Sequence, residues 1–154
     1  MHTLLMEPAT GERVLRFVGD RLRFTLRGPA EGEGRPLVRA YLRTRLGRGS
    51  VFRREILESR GGQRPVLGLS WRDVPMQREG DAWSVEFTLN EVGYFPAKAF
   101  AVDDRGFQVW PEGPDVGISV HPNGCRSANT IYCAFPRLFG ATRGAASTVD
   151  PRHH

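Results

Sequence analysis

The sequence predicts an all-β protein, and three observations support this prediction. Residues 21–27 alternate strictly, with Leu22, Phe24 and Leu26 on one side and polar side chains between them. The 18 glycines and 11 prolines fall between short apolar runs rather than in one block, which is typical of many strands joined by turns. A chain of 154 residues with a hydrophobic fraction of 40% suffices for one ordinary core. We therefore expect one β-sandwich of about seven or eight short strands.

The individual elements follow from local patterns. The predicted strands are alternating or apolar runs bounded by turn residues, namely 21–27, 37–42, 83–89, 94–102, 107–110 and 117–121. Residues 51–59 break the two-residue period, because Phe52, Ile56 and Ser59 recur at helical spacing, and they predict a short helix or an irregular insertion. Asp103, Asp104 and Gly106 predict a hairpin turn, since Asp tolerates the turn geometry and Gly supplies a positive φ.

The C-terminal part has a different pattern. Within residues 129–140, Ile131, Tyr132, Ala134 and Phe135 form a nearly continuous apolar run, as expected of a strand buried on both faces. Residues 141–154 show no periodicity and predict a poorly ordered tail. We expect a sandwich domain over residues 1–123, followed by a linker, this strand and the tail over residues 124–154.

The net charge of +5 comes from scattered arginines, and Lys98 is the one lysine among 22 basic residues. The densest basic stretch is residues 39–54. No recognised nucleic-acid motif accompanies it, so a solvated face is expected. The alternative is a stand-alone interaction module that binds an acidic partner through this arginine-rich face.

No pattern for catalysis or metal binding is present in the sequence. It lacks a nucleophile elbow, a glycine-rich phosphate loop and a His-Glu-x-x-His helix, so neither an enzymatic activity nor a cofactor is expected. Cys125 and Cys133 lack the spacing of a zinc site, and we expect free thiols in a reducing compartment. His121 is expected at the surface. The N-terminus lacks a signal-peptide pattern and no long apolar run occurs, so a cytoplasmic location without membrane contact is expected.

Aromatic residues are the remaining candidates for function, because flat rings with polar neighbours stack on the C–H faces of sugars. Trp83 is in phase with the apolar residues of its strand and is expected in the core. Trp71 lies in a stretch that looks like a loop, and Trp110 follows the predicted hairpin. For both, sugar contact and packing against another domain remain open. Tyr94 and Lys98 are nearby in the sequence, on the predicted strand at 94–102.

Four segments together resemble a known family. Residues 71–76, 81–83, 93–99 and 110–113 read WRDVPM, DAW, GYFPAKA and WPEG, and they are similar to the N-terminal immunoglobulin-like, carbohydrate-binding-module-like domain of α-amylase-superfamily enzymes. Residues 131–140 resemble the first barrel strand of glycoside hydrolase family 13. The resemblance covers roughly residues 20–121 and this later strand.

The resemblance implies a non-catalytic accessory domain of an enzyme that acts on an α-glucan such as glycogen or starch. It implies an immunoglobulin-like sandwich that either contacts glycan or packs on the catalytic barrel, and it assigns a sugar-contacting role to Trp71, Trp110, Tyr94 and Lys98. It also implies an exposed apolar face where the barrel docks, through which the chain could self-associate. The catalytic carboxylates of that family lie on later barrel strands, so none is assigned here.

Overall fold

The computed structural model describes residues 3–29, 34–62 and 64–127. Within these ranges the chain forms ten β-strands, one α-helix (α1) and one short 3-10 helix. In chain order these elements are β1 Leu5–Glu7, β2 Arg13–Phe17, β3 Arg21–Arg27, β4 Leu37–Thr44, α1 Gly49–Arg60, β5 Arg72–Pro75, β6 Gln77–Glu79, β7 Ala82–Thr88, β8 Gly93–Asp103, β9 Gln108–Val109, β10 Val116–His121 and the 3-10 helix Asn123–Arg126. The predicted all-β class with one short helical insertion is confirmed.

The described strands form two sheets. One has the order β1-β3-β7-β6, and the other has the order β2-β10-β8-β4-β5, with β9 paired to β8. Strand β2 runs parallel to β10, whereas the other pairs are antiparallel. In the nomenclature of immunoglobulin domains, the first sheet has the order A-B-E-D and the second contains G-F-C-C′. The protein is therefore an immunoglobulin-like β-sandwich.

The core lies between the two sheets, and the alternation seen in the sequence creates it. In β3, Leu22, Phe24 and Leu26 are buried, and Leu26 is in register with Trp83 of β7. Trp83 belongs to the same apolar cluster, so its predicted core position is confirmed. Small residues of β8 contribute from the opposite sheet and let the sheets approach closely.

Helix α1 is attached to the sandwich by carboxylates rather than by a cap of its own. Its N-cap residue makes no side-chain hydrogen bond, and Glu91 instead accepts a hydrogen bond from the Gly49 amide at 3.1 Å. Glu55, which is buried, accepts hydrogen bonds from the amides of Leu69 and Ser70 at 2.9 and 3.2 Å. Backbone amides at helix starts and in loops need such acceptors, so these two carboxylates hold α1 and the segment after it in place.

The hairpin between β8 and β9 has the predicted turn. The Asp103 carboxylate accepts hydrogen bonds from the amides of Arg105 and Phe107, both at 2.9 Å, and Gly106 has a φ of +90°. Asp103 therefore serves turn formation, as its position in the sequence suggested.

The structure contains strands in two regions where the sequence pattern predicted none, namely the stretch after Trp71 and the N-terminal segment. The stretch that contains Trp71 was expected to be loop-like, but residues 72–75 form β5, so that prediction is wrong. Strand β5 is a short edge strand whose side chains are mostly exposed, and an edge strand of this kind carries little alternation. Strands β1 and β2 near the N-terminus were not predicted either. The predicted barrel strand within residues 129–140 lies outside the described residues.

Candidate functional site

All four sequence-predicted site residues lie on one surface, the side of the six-stranded sheet that faces away from the core. We call this side the outer face. In β8, Phe95, Ala97 and Ala99 point into the core, so the alternation of the strand places Tyr94 and Lys98 on the outer face. Trp110 and Trp71 reach the same face through contacts with side chains of β8 and with Arg45, which follows β4.

Three aromatic rings form a stacked row across the outer face. Tyr41 of β4 and Phe100 of β8 are directly paired, with ring centroids 5.5 Å apart and planes inclined by 25°. Trp110 stacks on the other side of Phe100 at 4.4 Å and 26°. Phe100 is only 2% exposed although it lies outside the core cluster, because its two neighbours cover it. This aromatic row fixes the position of Trp110.

Arg43 lies beside the aromatic row and connects it to the edge strand. Its guanidinium carbon is 5.3 Å from the ring centroid of Phe100 and 5.1 Å from that of Trp110. Its Nε and Nη2 donate to the two carboxylate oxygens of Asp73 at 2.7 and 2.9 Å, and this hydrogen-bonded pairing raises the pKa of Arg43. A planar, charged hydrogen-bonding pair is thus held next to the aromatic rings.

Arg45 and Trp71 form a second group on the outer face. The guanidinium carbon of Arg45 lies 4.1 Å from the ring centroid of Phe52 on α1 and 4.3 Å from that of Trp71. Its Nε is buried without a hydrogen-bond acceptor among the described residues. Burial lowers the pKa of Arg45, an effect opposed by the more distant charges of Glu55 and Asp115. One side of the Trp71 ring is therefore in contact with Arg45.

Tyr94 is the most exposed of the four predicted site residues, at 55%. Its ring covers the backbone of Gly117, because a Cβ atom at Gly117 would lie 2.5 Å from the Tyr94 hydroxyl oxygen and 2.9 and 3.0 Å from two ring carbons. Strand β10 presents a glycine here in register with Pro96 of β8. The missing side chain lets an aromatic ring lie against the sheet and remain accessible to solvent.

Lys98 has a positioning contact. Its Nζ donates a hydrogen bond to the carbonyl oxygen of Gly113, in the segment between β9 and β10 that also carries Trp110. Lys98 therefore helps to hold that segment on the outer face. Its sugar contact, like those of Trp71, Trp110 and Tyr94, stays a prediction.

Surface cavities lie next to both tryptophans. A cavity of about 460 Å³ is lined by Trp110, by its neighbours Pro111 and Glu112, and by residues of β1 and of the segments on both sides of that strand. A second cavity of about 390 Å³ is lined by Trp71, Arg43, Asp73, Arg72, Leu67 and Gly68. Apolar ring surface beside a few polar groups is the composition of a small-molecule site.

The arginine-rich stretch at 39–54 does not form one uniform basic face in the described structure. Arg43 is paired with Asp73, Arg45 lies between two rings, and Arg53 is 3.7 Å from a carboxylate oxygen of Glu91. Sequence reasoning found these arginines but missed their partners. Asp73 and Phe52 come from separate elements, and no local pattern marks them as neighbours. Binding of an acidic partner by this stretch stays a prediction.

Other candidate chemistry can be placed within the described ranges. No group of three or more His, Cys, Asp or Glu side chains there is arranged to hold a metal ion. Cys125 is a free, exposed thiol, while Cys133 lies outside the described residues. His121 is exposed, as predicted. In the described part of the chain, no helix has the length and apolar character required to cross a membrane.

Apolar side chains are exposed on the insertion formed by α1 and the segment that follows it. Among the described residues of this insertion, Leu57, Leu67 and Leu69 are prominent examples. They are candidates for the apolar docking surface expected from the sequence, although their burial by a partner is a prediction.

No protein-family model matches the chain, and no curated protein matches it. Among solved structures it is similar to the fibronectin(III)-like modules of CbhA from Clostridium thermocellum, with 16% identity and a TM-score of 0.46 over 79% of this chain and 98% of the other. It is also similar to a chain of the Coh-OlpA-Doc918 cohesin–dockerin complex of Clostridium thermocellum, with 10% identity and a TM-score of 0.34 over 79% and 99%. At these scores the alignments carry no argument about ligand or partner. An α-amylase-superfamily parent stays a prediction.

Proposed function

We propose that the protein is a glycan-recognition module that binds its ligand on the outer face of the six-stranded sheet. The observation that supports this most directly is the convergence of Tyr94, Trp71, Trp110 and Lys98 on that one face. Trp71, Trp110 and strand β8, which carries both Tyr94 and Lys98, are three separate segments of the sequence. Their convergence is expected for a binding surface.

Rings and charged groups on the outer face suit different parts of a sugar. An accessible ring such as that of Tyr94 offers a flat apolar surface to the C–H face of one sugar unit. Farther along the outer face, the Arg43–Asp73 pair offers donors and acceptors to the hydroxyl groups of another unit of the same glycan. The stack on Phe100 holds Trp110 in place, and the pairing with Asp73 holds Arg43, before the ligand arrives. Less conformational entropy is then lost on binding.

We further propose that the module is a non-catalytic accessory domain of an α-glucan-acting glycoside hydrolase. This part of the proposal is supported by the sequence resemblance alone. In that arrangement the exposed leucines of the insertion would pack on the catalytic barrel, and the outer face would remain available for glycogen or starch.

Titration calorimetry with maltoheptaose, together with affinity electrophoresis in glycogen, tests the proposal. We expect Tyr94→Ala and Trp110→Ala each to weaken binding by about tenfold, because each removes apolar ring surface worth about 1.4 kcal/mol. Phe107→Ala is the matched control, since Phe107 is exposed at the hairpin tip and should leave binding unchanged. Absence of any response to either glucan in the wild-type chain would refute the proposed function.

A further inference from the structure

We propose that Arg45, beside Trp71, binds a phosphate group carried by the glycan, so that the preferred ligand is a phosphorylated α-glucan. The inference rests on the proposed function, because it assigns a charged substituent to the ligand of the same outer face. It makes Arg45 a specificity-determining residue.

The first argument is the placement of the Arg45 guanidinium. Its guanidinium carbon lies over the rings of Phe52 and Trp71, 4.1 and 4.3 Å from their centroids. Stacking on rings uses the faces of the group and leaves the edges, which carry the N–H donors, free to meet an acceptor. The two rings therefore orient a hydrogen-bonding fork rather than consume it.

The Arg45 guanidinium has no hydrogen-bond acceptor within the described part of the chain. The Nε atom is buried and has no hydrogen-bond partner, whereas the two Nη atoms are not buried in this way. Neither Nη makes a hydrogen bond or an ion pair with a described residue, so both are reached by solvent. A guanidinium with unused donors and a partly desolvated charge is stabilised by an incoming anion.

The neighbouring arginines already donate hydrogen bonds to acceptors within the protein. Arg43 donates to Asp73, and Arg72 donates to the carbonyl oxygen of Leu46 at 2.7 Å. Both line the cavity of about 390 Å³ that also contains Trp71. Arg45 does not line this cavity, but its guanidinium carbon lies 4.3 Å from the ring centroid of Trp71, which does. An anionic substituent on a sugar beside Trp71 would have to extend past the edge of that ring to meet Arg45.

Phosphate fits these observations best among common anionic substituents of glycans. It presents several strong acceptor oxygens and a charge of about −1.5 to −2 near neutral pH, and the planar arginine fork matches two of its oxygens at once. Carboxylated glycans and free inorganic phosphate are the competing ligands.

The test compares two maltooligosaccharides of equal length, one carrying a single phosphate monoester and one without it, by titration calorimetry at low salt. We expect the phosphorylated sugar to bind the wild-type chain about tenfold more tightly. The preference should shrink at high salt, because screening weakens the interaction of a partly exposed charge pair.

Variants assign the preference to Arg45. Arg45→Met keeps an unbranched chain beside the two rings but removes the charge, and it should abolish the preference, so that the phosphorylated and the neutral sugar bind this variant equally. Arg45→Lys keeps the charge without the planar fork and should retain only part of the preference; it serves as the second variant if Arg45→Met does not fold. Arg54→Met removes one charge from the exposed side of α1 and should keep the preference in full.

Each of the other outcomes refutes one part of the proposal. Equal affinity of the two sugars for the wild-type chain, or an undiminished preference in Arg45→Met, refutes the phosphate subsite but leaves glycan recognition intact. If neither sugar binds, the proposed function itself fails. Equally tight binding of galacturonate oligomers or of inorganic phosphate would show a general anion site and would refute the assignment to a phosphorylated glucan.

Discussion

At the scale of single residues, Gly117 and Tyr94 show how the absence of one side chain shapes the outer face. A Cβ atom on Gly117 would lie within 3.0 Å of three Tyr94 atoms, closer than van der Waals contact allows. The glycine lies in strand β10, where it forgoes the packing and conformational restriction that a larger residue provides. In return, an aromatic ring rests on the sheet with more than half of its surface exposed.

Gly117→Ala is predicted to displace the Tyr94 ring and to weaken glycan binding by about as much as Tyr94→Ala does, close to tenfold. The stability cost should be about 1 kcal/mol, at the low end for overpacking, because the exposed ring can move aside. Chemical denaturation and calorimetry measure both effects. Gly124→Ala is the control, since a Cβ there meets nothing within 4 Å. In a Tyr94→Ala background, Gly117→Ala should have no further effect on binding; a further loss would contradict the explanation.

At the scale of elements, helix α1 depends on acceptors supplied from outside its own sequence. Glu91 accepts a hydrogen bond from the first amide of the helix, and Glu55 accepts hydrogen bonds from two amides of the segment beyond it. Hydrogen bonds that the Leu69 amide, and secondarily Ser70, donate to the carboxylate lower the pKa of Glu55, although burial opposes this. The ionised carboxylate is therefore the form that the folded insertion favours.

The pH dependence follows from the sign of that shift. Because the folded-state pKa of Glu55 lies below its ordinary value of 4.5, the stabilisation is fully present above this value and is lost as pH falls through the folded-state pKa. We expect Glu55→Gln to lower the denaturation midpoint near neutral pH and to have a diminishing effect as the solution becomes more acidic than pH 4.5. Urea titrations of both chains across this range measure the difference.

Glu58→Gln provides the matched control for that experiment. Glu58 lies on the same helix, and its side chain makes no hydrogen bond or ion pair with a described residue. Its substitution should change the denaturation midpoint only slightly. A Glu55→Gln effect that is independent of pH would show that shape, and not charge, holds the insertion.

At the scale of the whole molecule, stability comes from the core between the sheets, and the proposed binding site lies on the opposite side of one of them. Strands β4 and β8 contribute to both, because alternate residues point in opposite directions. Leu42 and Ala99 belong to the core, while Arg43 and Phe100 belong to the outer face. Substitutions on the outer face can therefore alter binding without opening the core.

Phe24→Ala tests this separation, because Phe24 is fully buried and contacts Phe87 edge-on, with centroids 6.0 Å apart. We predict a loss of about 3–5 kcal/mol in the free energy of unfolding, a large part of the stability of a domain of this size. Leu57→Ala, at a position that is 69% exposed, should change it by less than about 0.5 kcal/mol. Calorimetric unfolding of the two variants measures the contrast, and similar losses in both would contradict the assigned core.

Much of the fold was predictable from the sequence because the signals are local. The strict alternation in β3, the Asp103–Gly106 turn and the helical spacing of Phe52 and Ile56 each report the structure of their own segment. Strands β1, β2, β5 and β6 were missed because three to five residues at a sheet edge bury too little to leave a period. Their strand character depends on the neighbours to which they pair.

The sequence by itself determined that the chain is a β-sandwich with one helical insertion, and that aromatic residues and arginines are its candidate site. Only the tertiary structure decided their roles. It stacked Trp110 on Phe100, paired Arg43 with Asp73 and placed Arg45 between Phe52 and Trp71. The physical reason is that periodicity encodes which side of a strand is buried. Contacts across the outer face join segments distant in the chain, and strand order and register alone bring those segments together.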